Sequence, residues 1–248
     1  MRIGGVHYGV GAPLLTGLAE DPDVELLADK PRVLIPLLRE GALDAALLSS
    51  IEAFRWPGYR LAPGLGICSR GPARSVRAFR RPDIAAIHTV GLDNGSATSV
   101  ALLEILLRRG RFGPITEPLE FKLVEPMAHP DRLPFDLVLL IGDFGLRAEP
   151  GQRQVLDLGD EWFRWTGLPF VYALWVIHPS ADPERLIPRL RQARDDGISR
   201  GVLDGTGGAI YYTVGEPERA GLSRFCSEAI DLGLAAADLE PMWLDDIR

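Results

Sequence analysis

Apolar positions in this chain fall into short blocks of two kinds. Residues 2–8, 24–28, 42–48, 84–92, 136–141 and 170–177 are near-continuous apolar or β-favouring runs bounded by Gly, Pro, Asp or Ser. Runs of that length and density read as strands, the last of them buried on both faces. Between them the period lengthens. Residues 31–40 place Val33, Leu34, Leu37 and Leu38 on one face with Gly41 as the stop, and the stretch ending near Arg109 does the same with Val100, Leu103, Leu106 and Leu107. These are helices by pattern and by punctuation. Further helices are expected at 14–20, 183–199 and 217–232, with a short one at 51–56 capped by Ser50. Residues 59–65 and 75–80 read as segments bracketing a loop at 66–72, residues 117–123 as extended, and the glycine-rich 205–208 as a loop.

Strand–helix alternation predicts an α/β fold with mostly parallel sheets. The pattern restarts after Pro82 and closes on the apolar run 170–177. The expected organisation is therefore two lobes, the first built from residues 1–79 plus 173–248 and the second, 80–172, inserted into it.

In open α/β sheets ligands sit beyond the carboxyl ends of strands. Four polar clusters occupy that position: Ser49-Ser50, Ser69, Asn94 to Ser99, and Gly142-Asp143. The third is the most suggestive. A strand stops at the turn triplet Asp93-Asn94-Gly95, and Ser96, Thr98 and Ser99 lead into a helix. Those side chains are of N-capping type, and a helix start with hydroxyls around it is also an anion site. A cap alone would explain one such cluster less awkwardly than four.

Composition narrows the function. Hydrophobic residues make up 46% and charged residues 25%, with a net charge of −7. That balance, with no basic run interleaved with aromatics, argues against nucleic-acid binding. No apolar stretch is long enough to span a bilayer and no signal-type segment opens the chain, so a cytoplasmic location without membrane attachment is expected. Cys68 and Cys226 are too few for a disulfide framework, and His7, His88, His129 and His178 lack ligand spacing, so no metal site is expected. Cys68 has no base beside it in sequence. His7 lies at the end of the first strand.

Several segments together resemble one family. The block Gly41-Ala42-Leu43-Asp44-Ala45-Ala46-Leu47-Leu48-Ser49-Ser50-Ile51-Glu52 is followed by Pro63-Gly64-Leu65-Gly66-Ile67-Cys68-Ser69 and Gly71-Pro72, then Ser96-Ala97-Thr98-Ser99-Val100. Leu139-Leu140-Ile141-Gly142-Asp143 and Trp165-Thr166-Gly167-Leu168-Pro169-Phe170-Val171-Tyr172 complete the series. In this order they are similar to the chorismate dehydratases of the futalosine route to menaquinone, over nearly the whole chain.

The resemblance implies a two-lobed, periplasmic-binding-protein-like (type II) fold with a cleft between the lobes. It implies a lyase that removes water from chorismate to give 3-[(1-carboxyvinyl)oxy]benzoate, with no cofactor. The implied partner is a small dianion, which neutral donors at helix starts can bind without a basic surface. On this reading Ser96, Thr98 and Ser99, with local amides, hold one carboxylate, Ser49, Ser50 and Ser69 serve the other end from the first lobe, and Asn94, Gly95 and Gly142 also bind the substrate. Asp143, Tyr8 and His7 are the candidates for orienting the hydroxyl or taking the proton, and Asp143 reads equally as a helix cap. Glu52 reads as a first-turn carboxylate, and Trp162, Phe170, Tyr172 and Trp175 mostly as core.

Two positions depart from the family, Ala97 inside the Ser-x-Thr-Ser motif, which matters less, and Val10. Val10 stands where an Asn is expected, and valine cannot make a side-chain hydrogen bond. Either a water, His7 or Tyr8 substitutes there, or the chain has lost the activity. The alternatives are the sister 1,4-dihydroxy-6-naphthoate synthase and a non-catalytic binder of a small carboxylate.

Overall fold

The computed structural model describes residues 1–6, 8–93, 95–202 and 206–245. His7, Asn94 and Gly205, singled out above, lie outside the described residues. In chain order the elements are β1 (Arg2–Gly5), β2 (Glu25–Ala28), α1 (Pro31–Arg39), β3 (Ala45–Ser49), β4 (Arg60–Ser69), β5 (Val76–Arg80), β6 (Ile87–Leu92), α2 (Ala97–Arg108), β7 (Ile115–Leu123), β8 (Leu137–Ile141) and α3 (Gly142–Arg147). They continue with β9 (Gln154–Asp157), α4 (Leu158–Thr166), β10 (Phe170–Ile177), α5 (Pro183–Ser199), β11 (Ile210–Tyr211) and α6 (Glu216–Asp231).

Two compact units result: Met1–Cys68 with Val171–Arg248, and Ser69–Phe170. The first boundary thus falls earlier than the expected 79/80, and the reason is pairing. β5 is hydrogen-bonded on one side to β8 (Val76 opposite Ile141) and on the other to β9 (Arg77 opposite Asp157), so it is an interior strand of the second unit.

The first unit is built on a six-stranded sheet ordered β11-β4-β10-β3-β1-β2. β1 runs parallel to β2 and β3, whereas β10 is antiparallel to β3. Its apolar runs do what their density requires: Ala45, Ala46 and Leu47 of β3 and Leu174, Trp175, Val176 and Ile177 of β10 are fully buried. Each such large side chain removed from water contributes roughly 1.5–3 kcal/mol. α1 packs Leu34 and Leu38 on this sheet and ends on Gly41, whose φ of +71° is the left-handed turn that a residue with a Cβ avoids.

Two expectations change here. The helix expected at 14–20 is instead a 3-10 segment, Gly9–Leu15, with Pro13 inside it, and the chain turns away at Gly17 (φ +78°). A proline ring tolerates the tight i→i+3 turn but removes a donor that a longer α-helix would need. The loop expected from residue 66 begins only after Ser69, because β4 continues through Gly66, Ile67 and Cys68. A Cβ on Gly66 would lie 3.0 Å from the Ala173 carbonyl oxygen, so glycine lets β4 run flush against β10.

The second unit carries a five-stranded sheet ordered β7-β6-β8-β5-β9. β6 is parallel to β7 and β8, and β5 is antiparallel to β8 and β9. Both sheets are therefore mixed rather than mostly parallel: β5 runs against both β8 and β9, and β10 runs against β3. Trp162 is fully buried, edge-on to Phe170 (centroids 5.3 Å) and Trp165 (5.6 Å), and its Nε1 donates to the Pro169 carbonyl at 3.3 Å. Trp162, Phe170, Tyr172 and Trp175 are all buried, as core residues should be.

Candidate functional site

In the second unit β6, β8 and β9 run in one direction, and α2, α3 and α4 each begin where one of them stops. Three helix starts thus share one edge of the sheet, the edge that favours negative charge. Two carboxylates set this edge. Asp93, 5% exposed, accepts from the Gly95 amide at 2.9 Å through Oδ1 and from the Ile141 amide at 3.0 Å through Oδ2. It pins the end of β6 to the end of β8, so the loops entering α2 and α3 lie side by side. Burial pushes its carboxyl above the usual aspartate range, with the two amides pulling the other way.

Asp157 plays the matching part at β9. Its Oδ1 accepts from the amides of Ala73 (2.9 Å), Gly159 (3.0 Å) and Asp160 (3.2 Å), and its Oδ2 from Arg74 (2.7 Å). It caps α4 and fixes the chain entering β5 in one stroke. Burial raises its carboxyl as well, against the pull of four amides. Sequence reading passed over both residues as site builders. Asp93 was seen only as part of a turn, although an Asp whose side chain answers an amide two residues on is a standard Asx turn. Asp157 stands before Leu158-Gly159-Asp160-Glu161, an N-cap with acidic first-turn residues, and that signal was available.

On this frame Ser96 caps α2: its Oγ accepts from the Ser99 amide at 3.2 Å and from the Ser99 hydroxyl at 3.1 Å. Thr98 and Ser99 are buried, Gly95 and Ser96 half-buried. Gly142 follows β8 with φ +63° and open space where a Cβ would stand, and Asp143 beside it is exposed in the first turn of α3. The structure therefore brings Gly95, Ser96, Thr98, Ser99, Gly142 and Asp143 to one edge of one sheet.

The remaining candidates are placed differently. Ser69, expected in the first lobe, is the first residue of the second unit; it is 1% exposed, and its hydroxyl donates to the Gly71 carbonyl at 3.0 Å. In the first unit β1 and β3 are parallel, so Tyr8, after β1, and Ser49-Ser50, at the end of β3, lie at one sheet edge. Tyr8 is 38% exposed and Ser49 half-buried. Ser50 is fully buried, and its hydroxyl donates to the Val171 carbonyl at 2.7 Å, holding β10 to the 3-10 segment Ser50–Phe54. Glu52, read as a first-turn carboxylate, lies in that segment; it is 4% exposed and paired with Arg55 (2.9 Å) and Arg39 (3.5 Å). Cys68 is buried among groups that push its thiol well above the ordinary range, burial first and the nearby Glu218 second, so it is no nucleophile. Among the described residues no group of His, Cys, Asp and Glu is arranged to hold a metal ion.

The fold matches a crystallographically solved protein of Archaeoglobus fulgidus with TM-score 0.69 at 16% identity, covering 94% of this chain and 97% of that one. It also matches the periplasmic aliphatic sulphonate binding protein SsuA of Escherichia coli, TM-score 0.62 at 13% identity, over 96% and 94% of the two chains. The architecture is thus that of the periplasmic-binding-protein-like α/β proteins. Within that class the chain belongs to the menaquinone biosynthesis family, whose pattern matches residues 1–202. It is 31% identical to the chorismate dehydratase of Thermus thermophilus, over 83% of this chain and 86% of that protein.

Proposed function

We propose that this protein is a lyase that dehydrates chorismate to 3-[(1-carboxyvinyl)oxy]benzoate in menaquinone biosynthesis. The observation that carries the reading is the 31% identity, spread over 83% of the chain, to a protein of that activity within the same family. The proposed setting is the futalosine route and the cytoplasm, in keeping with two cysteines that are both free thiols.

The chemistry suits the groups present. Chorismate loses its C4 hydroxyl and C3 hydrogen as water, and the ring becomes aromatic, so the reaction needs placement more than a strong acid. Preorganised neutral donors supply placement. In this reading the start of α2 holds a carboxylate through Ser96 and Thr98, with Ser99 donating its hydroxyl to Ser96 and so steadying it; each helix-start contact of this sort is worth about 0.3–1 kcal/mol, rising to about 2 when partly buried. Asp143 and Tyr8, the exposed candidates, are assigned to the hydroxyl and the proton. Ser49 and the Gly142 amide carry further contacts to the substrate. Val10 is half-buried inside the 3-10 segment Gly9–Leu15 and adds no polar group.

The test is to mix purified protein with chorismate and follow the aromatic product by ultraviolet absorbance and mass spectrometry. Binding without turnover would replace the enzyme reading with that of a carboxylate-binding protein. Ser96→Ala is expected to raise KM about tenfold, through lost carboxylate contact and a weakened cap. Thr98→Ala should do likewise, whereas Thr98→Ser, which keeps the hydroxyl, should stay near the parent. Parent-like kinetics in both alanine variants would remove the carboxylate assignment.

A further inference from the structure

β7 is the outermost strand of its sheet, bonded to β6 on one side alone. It is long for an edge strand, nine residues, and it is exposed, with Leu123 at 68%. Edge strands of this length are ordinarily blunted, since their outer amides and carbonyls are templates for further pairing. β7 is blunted in this way only in its first half, by Pro118 and by the register shift opposite Ile87 and Thr89; from Glu120 to Leu123 its pairing with β6 is regular. Around Phe121 the sequence Leu119-Glu120-Phe121-Lys122-Leu123 is apolar at 119, 121 and 123 and oppositely charged at 120 and 122.

Backbone parity shows which residues face outward. The Val124 amide donates to the Leu92 carbonyl of β6 at 3.0 Å, so residues 120, 122 and 124 turn their main-chain groups toward β6. Residues 119, 121 and 123 then turn theirs to the open side. The Leu119 amide is already met by Glu117 Oε2 at 3.1 Å. Among the described residues, no strand pairs with the outward amide and carbonyl of Phe121 and of Leu123, or with the carbonyl of Leu119.

We propose that this edge is a self-complementary surface through which two copies of the chain pair antiparallel about a two-fold axis at Phe121. In that register Phe121 is opposite the partner's Phe121, Leu119 opposite the partner's Leu123, and Glu120 opposite the partner's Lys122. Parity makes the 121–121 and 119–123 positions the hydrogen-bonded pairs, and it leaves 120–122 as the closer, non-hydrogen-bonded pairs where side chains interact most. Each Lys122 therefore faces one carboxylate of the partner, and the two-fold axis makes the pair twice, which a lysine placed only to repel a neighbouring strand would not do. Within one copy Lys122 lies 3.3 Å from one Glu120 oxygen while the other is 3.7 Å from His88 Nε2 of β6, so pairing asks each exposed side chain to exchange an intramolecular partner for the neighbouring copy's. Just before the pairing segment, Glu117 is neutralised by Arg108 at 2.6 Å and adds no bare charge. A surface that serves as its own partner gives a closed dimer rather than a fibre. The two five-stranded sheets become one.

Sedimentation equilibrium of the full chain over a wide concentration range tests this. A concentration-dependent dimer is expected. Lys122→Glu puts like charges opposite each other at both symmetric positions and should weaken the dimer about tenfold or more. The exchanged variant Glu120→Lys/Lys122→Glu restores opposite charges and should restore the parent dimer. Circular dichroism checks that each variant is folded. A monomer at all concentrations overturns the proposal, as does a dimer indifferent to Lys122→Glu or one that the charge exchange fails to rescue.

Discussion

Asp157→Ala is expected to lower the stability of the second unit by about 4 kcal/mol, measured by urea unfolding. Few single side chains answer as many backbone groups. Its two oxygens accept from Ala73, Arg74, Gly159 and Asp160, and removing them strands donors at the entry to β5 and at the start of α4 together. Asp157→Asn separates charge from geometry. Three of the four amides converge on Oδ1, so an asparagine with its carbonyl there keeps them and loses only the bond to Arg74. The expected cost is about 1.5 kcal/mol.

The pH dependence has a definite sign. Burial raises the Asp157 carboxyl in the folded protein, so the folded state favours the protonated form. The stability this contributes is fully present below the unfolded aspartate value and is lost as pH rises through the raised one. The gap between the parent and Asp157→Asn should therefore be widest in acid and should narrow toward neutrality. A gap that widens with pH would mean that the amides, not burial, dominate this group.

Residues that pattern alone could place are those whose environment is set by their own segment. The buried strands β3, β8 and β10 and the helices α1, α2, α5 and α6 announce themselves because a dense apolar run or a 3.6-residue stripe needs no distant partner to be read. The Ser96 cap was legible for the same reason: its acceptor role is met three residues away. Misread segments depend on something remote. Gly66 looks like a loop residue until β10 is laid beside it, and only then does the missing Cβ become the condition for continuing β4. Ser50 and Ser69 look like ligand donors at strand ends, yet their protons are spent on the carbonyls of Val171 and Gly71, one of them far along the chain. Asp93 and Asp157 gave local signals, an Asx turn and an N-cap, but the rest of their acceptor capacity is used on remote amides, those of Ile141, Ala73 and Arg74, and such pairings are invisible before the sheet order is known. The family resemblance supplied the overall architecture; which hydroxyls hold the frame and which remain at its rim took coordinates.

Gly145→Ala is expected to cost about 3 kcal/mol and to cut turnover of chorismate about a hundredfold. In an isolated helix the same change would stabilise by roughly 1 kcal/mol. Here α3 is pressed against its sheet: a Cβ at Gly145 would stand 2.3 Å from the Ser75 carbonyl oxygen and 2.7 Å from that of Leu140. Both are backbone atoms in or beside paired strands, so neither can turn aside as a flexible side chain would. Arg77 grips the helix further, its guanidinium donating to the carbonyls of Gly145 and Leu146 at 2.5 and 2.7 Å. The strain is relieved only by lifting α3 off the sheet, which carries Gly142 and Asp143 away from the start of α2. Gly142→Ala is the control. Its φ of +63° disfavours a side chain, but nothing occupies the space a Cβ would fill, so the expected cost is about 1 kcal/mol with the helix left in place. Unfolding curves and steady-state kinetics on the two variants decide the matter. If Gly142→Ala proves the more damaging in both, the edge of this sheet is governed by backbone strain at the turn, and the close seating of α3 does not set its geometry.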